Sequence, residues 1–448
     1  MKPPQKPPDI SELKEISKKL PERFQKALKL ARSSEDAKKY RHWDTLRHLT
    51  PPEGLTLKEW WAGMKMHRLG GMKELPLKDT LGNFFGYNVP DSVLEQLHKI
   101  DLGSGGSIGV PKPIINPQTR NQYLVRSLIQ EAITSSQLEG AVTARATAKD
   151  MLRLGRAPKN NNERMILNNF RMMQGIQNWK DQPLDESLIL EIHRQVTDQT
   201  LDEQDASGRL RLPHENVMVE DASTNEILHT PPPSEELQKR LKALCDFANG
   251  KTPSHFVHPV IRAITLHFWL AYDHPFVDGN GRTARALFYW SMLRQGYWLF
   301  EYISISEVIL RAPSKYAKSF LHTESDNSDL TYFIMYQSKV IEKSLETLHK
   351  YIEFKTEQLA KVETLFRSGE IFNHRQEALL AYALRCPRRS FSIDTHRMYH
   401  HIAYKTASKD LQDLNTRGYL EMRKEGKTFV FVSPHDLASL ISNQETKL

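Results

Sequence analysis

Two cysteines in 448 residues, Cys245 and Cys386, leave no basis for a disulfide framework or a cysteine-built zinc site. Long apolar runs are also missing; none approaches the ~20 residues that a helix needs to cross a bilayer. The opening stretch, MKPPQKPPDISELKEISKKL, has no apolar core of the kind a secretory signal carries. These absences set the expectation of a soluble, cytoplasmic protein without a membrane partner. Hydrophobic residues at 39% and charged residues at 26% fit globular domains and exclude a disordered or collagen-like chain. The length is roughly three times the ~150 residues of one domain, enough for several cores without covalent staples.

Charge is unevenly placed. The net +8 comes from the ends, with +6 over residues 1–50 and +4 over 371–448, so the centre is near neutral. Basic ends admit an acidic partner such as nucleic acid, and equally an ordinary solvated surface.

Residues 1–8 hold four prolines and read as a flexible tip, followed by polar, basic helices to residue 50 and an irregular region to Leu102. Gly103-Ser104-Gly105-Gly106-Ser107 and PKPIINPQ read as a linker; Ile108 stands where a GxGxxG loop needs its third glycine. Apolar residues three and four apart then predict helices over 123–138, 145–154, 161–178, 185–198, 234–249, 259–272 and 282–295. Val217, Met218 and Val219, a polar stretch, then Ile227 and Leu228 predict a small β-hairpin. A long helix over 330–368 precedes three short helices and two strands in 373–448, the pattern of a winged helix-turn-helix. The expected boundaries are an N-terminal helical region at 1–110, a central domain at 111–345, a connector helix at 346–372 and a winged helix at 373–448. The fold class is mainly α.

The densest chemistry is His274-Pro275-Phe276-Val277-Asp278-Gly279-Asn280-Gly281-Arg282-Thr283-Ala284-Arg285, set between two helices. Pro275 should end the first helix at His274. Gly279, Asn280 and Gly281 at the start of the second form an anion cradle at its positive end. Arg282 and Arg285 share a helical face and can grip phosphate oxygens as forked donors. Asp278 offers a hard oxygen ligand for a metal ion beside phosphates, and His274 can accept a proton from an attacking hydroxyl. Base, metal ligand, cradle and arginines in twelve positions point to phosphoryl or nucleotidyl transfer.

This stretch resembles the signature of the Fic (Fic/Doc) family, HPFx(D/E)GNGRxxR, at every defined position. The resemblance extends over roughly 120–345, with looser similarity in 40–110. It implies a Fic-type helical core with a β-hairpin flap, and AMP transfer from ATP to a Ser, Thr or Tyr hydroxyl of a target protein. By the same resemblance His274 is the base and Asp278 holds Mg²⁺ (or Mn²⁺). Gly279, Asn280 and Gly281 line the anion hole, Arg282 contacts the phosphates and Arg285 binds the γ-phosphate. The flap would pair with target backbone as an added strand. Upstream, Ser135-Ser136-Gln137-Leu138-Glu139-Gly140 matches the family's inhibitory pattern (S/T)xxxE(G/N). This implies that Glu139 pairs with Arg285 and blocks the γ-phosphate position. Self-modification and a homodimer are further partners that the resemblance admits. Relatives also remove AMP or use other donors, and the motif does not separate these chemistries.

Elsewhere, Gly426-Lys427-Thr428 reads as a turn between strands, since Glu421 stands where a P-loop needs its first glycine. His396, His400 and His401 read as surface positions on a helix, and His193 and His267 as packed histidines supporting the site. In the C-terminal region Lys405, Thr406, Lys409, Lys424 and Lys427 are candidate DNA contacts. Asp410 and Asp413 on the same helix oppose that reading, and winged helices also dock proteins. A DNA-binding regulator with a nucleotide-sensing Fic domain is therefore the alternative.

Overall fold

Apolar residues spaced by three and four turn most of the chain into helices, and among the described residues the strands form three small ladders. The structure, a computed structural model, describes residues 3–33, 39–104, 117–221, 224–367, 372–385, 390–400, 402–425, 428–434, 436–437 and 440. The linker positions 105–116, Cys386, His401, Gly426 and the candidate contact Lys427 lie outside them. The chain divides into two units, Met1–Leu348 and His349–Leu448. No helix among the described residues is long and apolar enough to cross a membrane.

The first unit opens with α1 (Ile10–Lys19), α2 (Pro21–Ser33), α3 (Trp43–Leu46) and α4 (Leu57–Gly70). Their apolar faces bury Leu13, Trp43, Leu46, Trp60 and Trp61 in one cluster. Thr56 and Glu59 cap α4 reciprocally, each side chain bonding the other's backbone N–H. The stretch read as irregular contains an antiparallel hairpin, β1 (Lys73–Lys78) and β2 (Phe84–Tyr87). Pro76 within KELPLK and a register shift mask its strand signal. Next comes α5 (Asp91–Ser104), so Gly103 and Ser104 belong to a helix rather than to a linker.

The helices α6 (Pro117–Leu138), α7 (Arg145–Leu154), α8 (Asn161–Trp179) and α9 (Glu186–Thr197) lead to the ladder of β3 (Val219–Glu220) and β4 (Ile227–His229). Then follow α10 (Leu237–Ala248), α11 (Pro259–Asp273), α12 (Asn280–Arg294), α13 (Ile305–Leu310), α14 (Pro313–Ser325) and the start of α15 (Thr331–Arg367), which runs past the division at Leu348. Nearly every side chain of α11 and α12 is buried, which makes this pair the centre of the unit. The N-terminal helices are tied in by polar contacts rather than apolar ones alone. Lys65 Nζ meets Asp326 Oδ1 at 2.7 Å with both side chains buried. The Tyr40 hydroxyl donates to Asp329 at 2.8 Å, and Arg68 donates to the Tyr332 hydroxyl at 2.9 Å. Buried charges persist only when matched in this way.

The second unit holds α16 (His374–Arg385), β5 (Ser390–Ser392), α17 (Ile393–His400), α18 (Tyr404–Thr416), β6 (Glu421–Glu425) and β7 (Thr428–Val432). Its antiparallel sheet runs β5-β7-β6, one strand more than the sequence predicts. Leu380, Leu411, Leu414, Leu420 and Phe431 fill its core. His396 is a correction. It is buried against Asp410 at 3.2 Å, not exposed on the helix surface, because Asp410 turns inward to meet it and Arg375.

Candidate active site

The site forms where α11 stops and α12 starts. His274 caps α11 in a left-handed conformation (φ 45°), its N–H still bonded to the Leu270 carbonyl at 3.0 Å. Pro275 forbids a further helical turn there. The His274 ring donates from Nδ1 to the Ala271 carbonyl at 3.2 Å, since a carbonyl can only accept. That fixes the tautomer and leaves the Nε2 lone pair for a proton. Burial, with the nearby His229 and Arg211 adding to it, pushes the His274 pKa down to about 4, so the ring is neutral at pH 7.

The loop between the helices is held from several sides. Phe276 is fully buried and stacks on His193, ring centres 3.7 Å apart. The Asn280 side chain accepts from the Phe276 N–H at 3.0 Å and donates to its carbonyl at 2.8 Å, pinning the turn. His193 is also locked in one tautomer. Its Nδ1 accepts from Gly208 N–H at 3.0 Å, so Nε2 carries the proton donated to the Asp278 carbonyl at 2.9 Å. Burial holds this ring neutral as well, with a pKa of about 4. Gly279 sits at φ 81°, where a Cβ would lie 2.8 Å from Thr197 Cγ2, so both conformation and space require glycine.

Arg282 and Arg285, one turn apart, face different surroundings. Arg282 is fully buried; it donates to the Val196 carbonyl at 2.7 Å and to Asp278 Oδ2 at 3.1 Å. Its Nε is buried without a partner among the described residues, a donor left over for a ligand oxygen. The Asp278 side chain is half exposed, and its other oxygen accepts from Gly279 N–H at 2.5 Å. No group of three His, Cys, Asp or Glu side chains among the described residues could hold a metal. One half-exposed carboxylate beside a glycine-bounded helix start nevertheless fits Mg²⁺, which keeps few protein ligands.

Arg285 reaches back to α6, donating from Nε to Ser135 Oγ at 2.8 Å and from Nη2 to the Ser135 carbonyl at 3.0 Å and Glu139 Oε1 at 2.9 Å. Glu139 follows the last residue of α6, and Gly140 behind it takes the left-handed turn (φ 88°). A carboxylate at a helix C-terminus is poorly placed against the helix dipole, and the guanidinium compensates. The approach is close: a Cβ on Gly281 would lie 2.2 Å from Glu139 Oε1. The carboxylate therefore lies on the backbone at the mouth of the cradle.

Sequence reading missed three supports. Glu131 on α6 is buried and accepts from Ser304 Oγ (2.7 Å), Ser306 N–H (3.1 Å) and Ser306 Oγ (2.5 Å), seating the helix that carries Ser135. Arg211 donates to the His274 carbonyl at 2.9 Å and to the Pro232 carbonyl. His229 on β4 bonds Glu324 at 2.7 Å and donates to the Tyr272 carbonyl at 2.7 Å. All three act across separations of 21 to 175 residues, and only the His-Thr-Pro-Pro-Pro run at 229–233 offered a local signal. His267 packs as read, its Nε2 on the Tyr316 hydroxyl at 2.9 Å.

Val219, Ile227 and Leu228 lie in the β3–β4 ladder, while Val217 and Met218 precede it. Met218, Glu220 and Ile227 are exposed. The remaining candidates belong to the second unit, where Lys405, Lys409 and Lys424 are exposed and Thr406 is half-buried.

A family model described as the Fic/DOC family matches residues 183–292. A protein adenylyltransferase Fic of Nematostella vectensis is 31% identical over 158 residues, which cover 35% of this chain and 32% of that protein. The protein adenylyltransferase fic-1 of Caenorhabditis elegans is 34% identical over 120 residues, 26% of this chain and 21% of that protein. The chain matches about a third or less of the length of these relatives. Among solved structures, a Fic family protein from Desulfovibrio desulfuricans G20 aligns over 77% of this chain and 96% of its own, at 17% identity and a TM-score of 0.48.

Proposed function

We propose that this chain is a protein adenylyltransferase that Glu139 holds in check. The observation that carries the reading is the His274 ring: neutral, fixed in one tautomer, its Nε2 free, at the lip of a glycine-bounded helix N-terminus. A target hydroxyl would give its proton to Nε2 while its oxygen bonds the α-phosphorus of ATP. The bond from that phosphorus to the bridging oxygen breaks and pyrophosphate leaves. Arg282, with its spare Nε, would bind phosphate oxygens. Asp278 would hold Mg²⁺ or Mn²⁺, which supplies charge neutralisation on the phosphates.

Inhibition follows from position. A polyphosphate on Arg285 must displace the Glu139 carboxylate, and an anion against Gly281 would meet the same oxygen. The β3–β4 hairpin, with Ile227 exposed on it and Met218 exposed just before it, would be the flap that takes target backbone as an added strand. The test is intact mass after incubation with Mg²⁺ and ATP. Glu139→Gly should gain one AMP, and Glu139→Gly/His274→Ala should gain none. Labelling of the double variant would remove His274 as base, and equal labelling of wild type and Glu139→Gly would remove the brake. UTP, GTP or CTP outcompeting ATP would change the donor.

One observation favours a second activity, DNA binding by a winged helix in the second unit. Of the two acids that opposed it, Asp410 is turned into the core and Asp413 pairs with Arg417 at 3.2 Å, while Lys405 and Lys409 are exposed on α18. Salt-dependent binding of duplex DNA would support this, and no binding at low salt would end it.

A further inference from the structure

We infer that a second anion site, distinct from the Fic loop, lies between α14, α15 and residues 40–42 and takes a nucleotide-sized polyphosphate. A cavity of about 540 Å³ opens there, within the ~300–1,000 Å³ typical of small-molecule sites. Arg41, Arg311, Lys315, Lys318, Lys339 and Lys343 line it, and no carboxylate does. Lys315 and Lys318 are one turn apart on α14, as are Lys339 and Lys343 on α15, so two helices each present a cationic pair. Arg311 has Glu307 as its partner at 2.8 Å, whereas the four lysines pair with no carboxylate among the described residues. Four lysines gathered with no carboxylate partner among the described residues repel one another, and a polyanion seated among them removes that repulsion.

The rest of the lining is of another kind. Val308, Met335, Val340 and the Tyr336 ring form an apolar wall suited to a flat base. His322 also lines the cavity, stacked on His42 at 4.3 Å, and its Nε2 is sealed from water without a hydrogen-bond partner. A buried polar atom left unpaired is a cost that a ligand oxygen or nitrogen would relieve. Cations on two faces, an apolar wall and one orphaned polar atom describe a receptor for several phosphates attached to something aromatic. A single small anion would leave most of these groups unused.

The test titrates inorganic triphosphate, and separately ATP, by calorimetry into Arg285→Ala and into Arg285→Ala/Lys318→Ala/Lys339→Ala. The Lys318→Ala/Lys339→Ala pair is also placed alone in the otherwise unaltered chain, as a check that the fold survives. Binding should weaken ~10-fold or more on loss of the two lysines, and it should weaken further as salt rises. Tighter binding of ATP than of triphosphate would assign the Tyr336 wall to a base; equal binding would assign the site to the phosphates alone. Unchanged affinity in both lysine variants, or no triphosphate binding to Arg285→Ala at low salt, would overturn the proposal. Its failure would leave the adenylyltransferase reading untouched, because that reading is judged by covalent AMP.

Discussion

Each unit of this protein contains an arginine–carboxylate pair, and the two are built the opposite way round. In the first unit Arg285 is the buried member, with 2% of its side chain exposed, and Glu139 stands at the rim with 24%. In the second unit the acid is inside: Asp410 is 6% exposed and Arg375 18%. Asp410 also accepts from Asn373 at 2.8 Å and His396 at 3.2 Å, so one carboxylate joins the start of α16 to α17 and α18. A buried cation whose counter-ion can swing into water is a site ready for another anion. A buried anion surrounded by donors from three elements is a hub, and nothing can replace it without disturbing the packing.

The largest expected effect breaks the first half of that comparison. In the Glu139→Gly chain, His274→Ala should lower AMP labelling by ~10²–10⁴, the usual yield of a general base; a smaller loss would mean that the cradle, not the base, dominates. Next comes stability. Asp410→Ala should cost about 3 kcal/mol, because it leaves Arg375 and its other donors unmatched. Glu139→Ala should cost less, about 1–2 kcal/mol, since the buried Arg285 loses its counter-charge but keeps two bonds to Ser135. Urea unfolding of the full chain, with hydrogen exchange in α16–α18, measures both; equal costs would erase the distinction.

Acidity sharpens it further. Burial raises the Asp410 carboxyl, but hydrogen bonds from Arg375, Asn373 and His396 outweigh this and leave its pKa below the ordinary value. Its contribution is therefore present above the unfolded pKa of ~4 and is lost as pH falls through the lower folded value. Exchange protection in α16–α18 should drop below about pH 4, and constant protection into strong acid would contradict the hub. The His274 pKa of about 4 has a different consequence. Labelling by Glu139→Gly should stay flat from pH 8 to pH 6, where a histidine of ordinary pKa would lose about three quarters of its base form. The smallest effect belongs to the surface: Lys405→Ala/Lys409→Ala should change stability by less than ~0.5 kcal/mol and weaken only DNA binding.

Much of the site was legible because its chemistry is local. His274 to Arg285 are consecutive, and a proline, two glycines and a helix start suffice to shape the loop around them. Ser135 and Glu139, one turn apart, were legible as a pattern, and the structure joins both to Arg285. Helix extents such as 145–154 and 259–273 followed from periodicity within a residue or so. What escaped was non-local. Glu131 meets Ser306 across 175 residues, His229 meets Glu324 across 95, and Arg211 meets His274 across 63. Asp410 was misread for the same reason: on a helix wheel it is one more surface acid, and only Arg375 and His396 show that it faces inward.

The sequence by itself determined the helical character, the glycine-bounded loop between two helices and the inventory of histidine, carboxylate and arginines within it, because periodicity and backbone restriction act over a few residues. Tertiary structure alone decided which arginine is paired with a carboxylate at the rim, which histidine keeps a lone pair and which acids are buried. Those properties depend on dielectric and on hydrogen-bond partners, and both are supplied by residues far away in the chain.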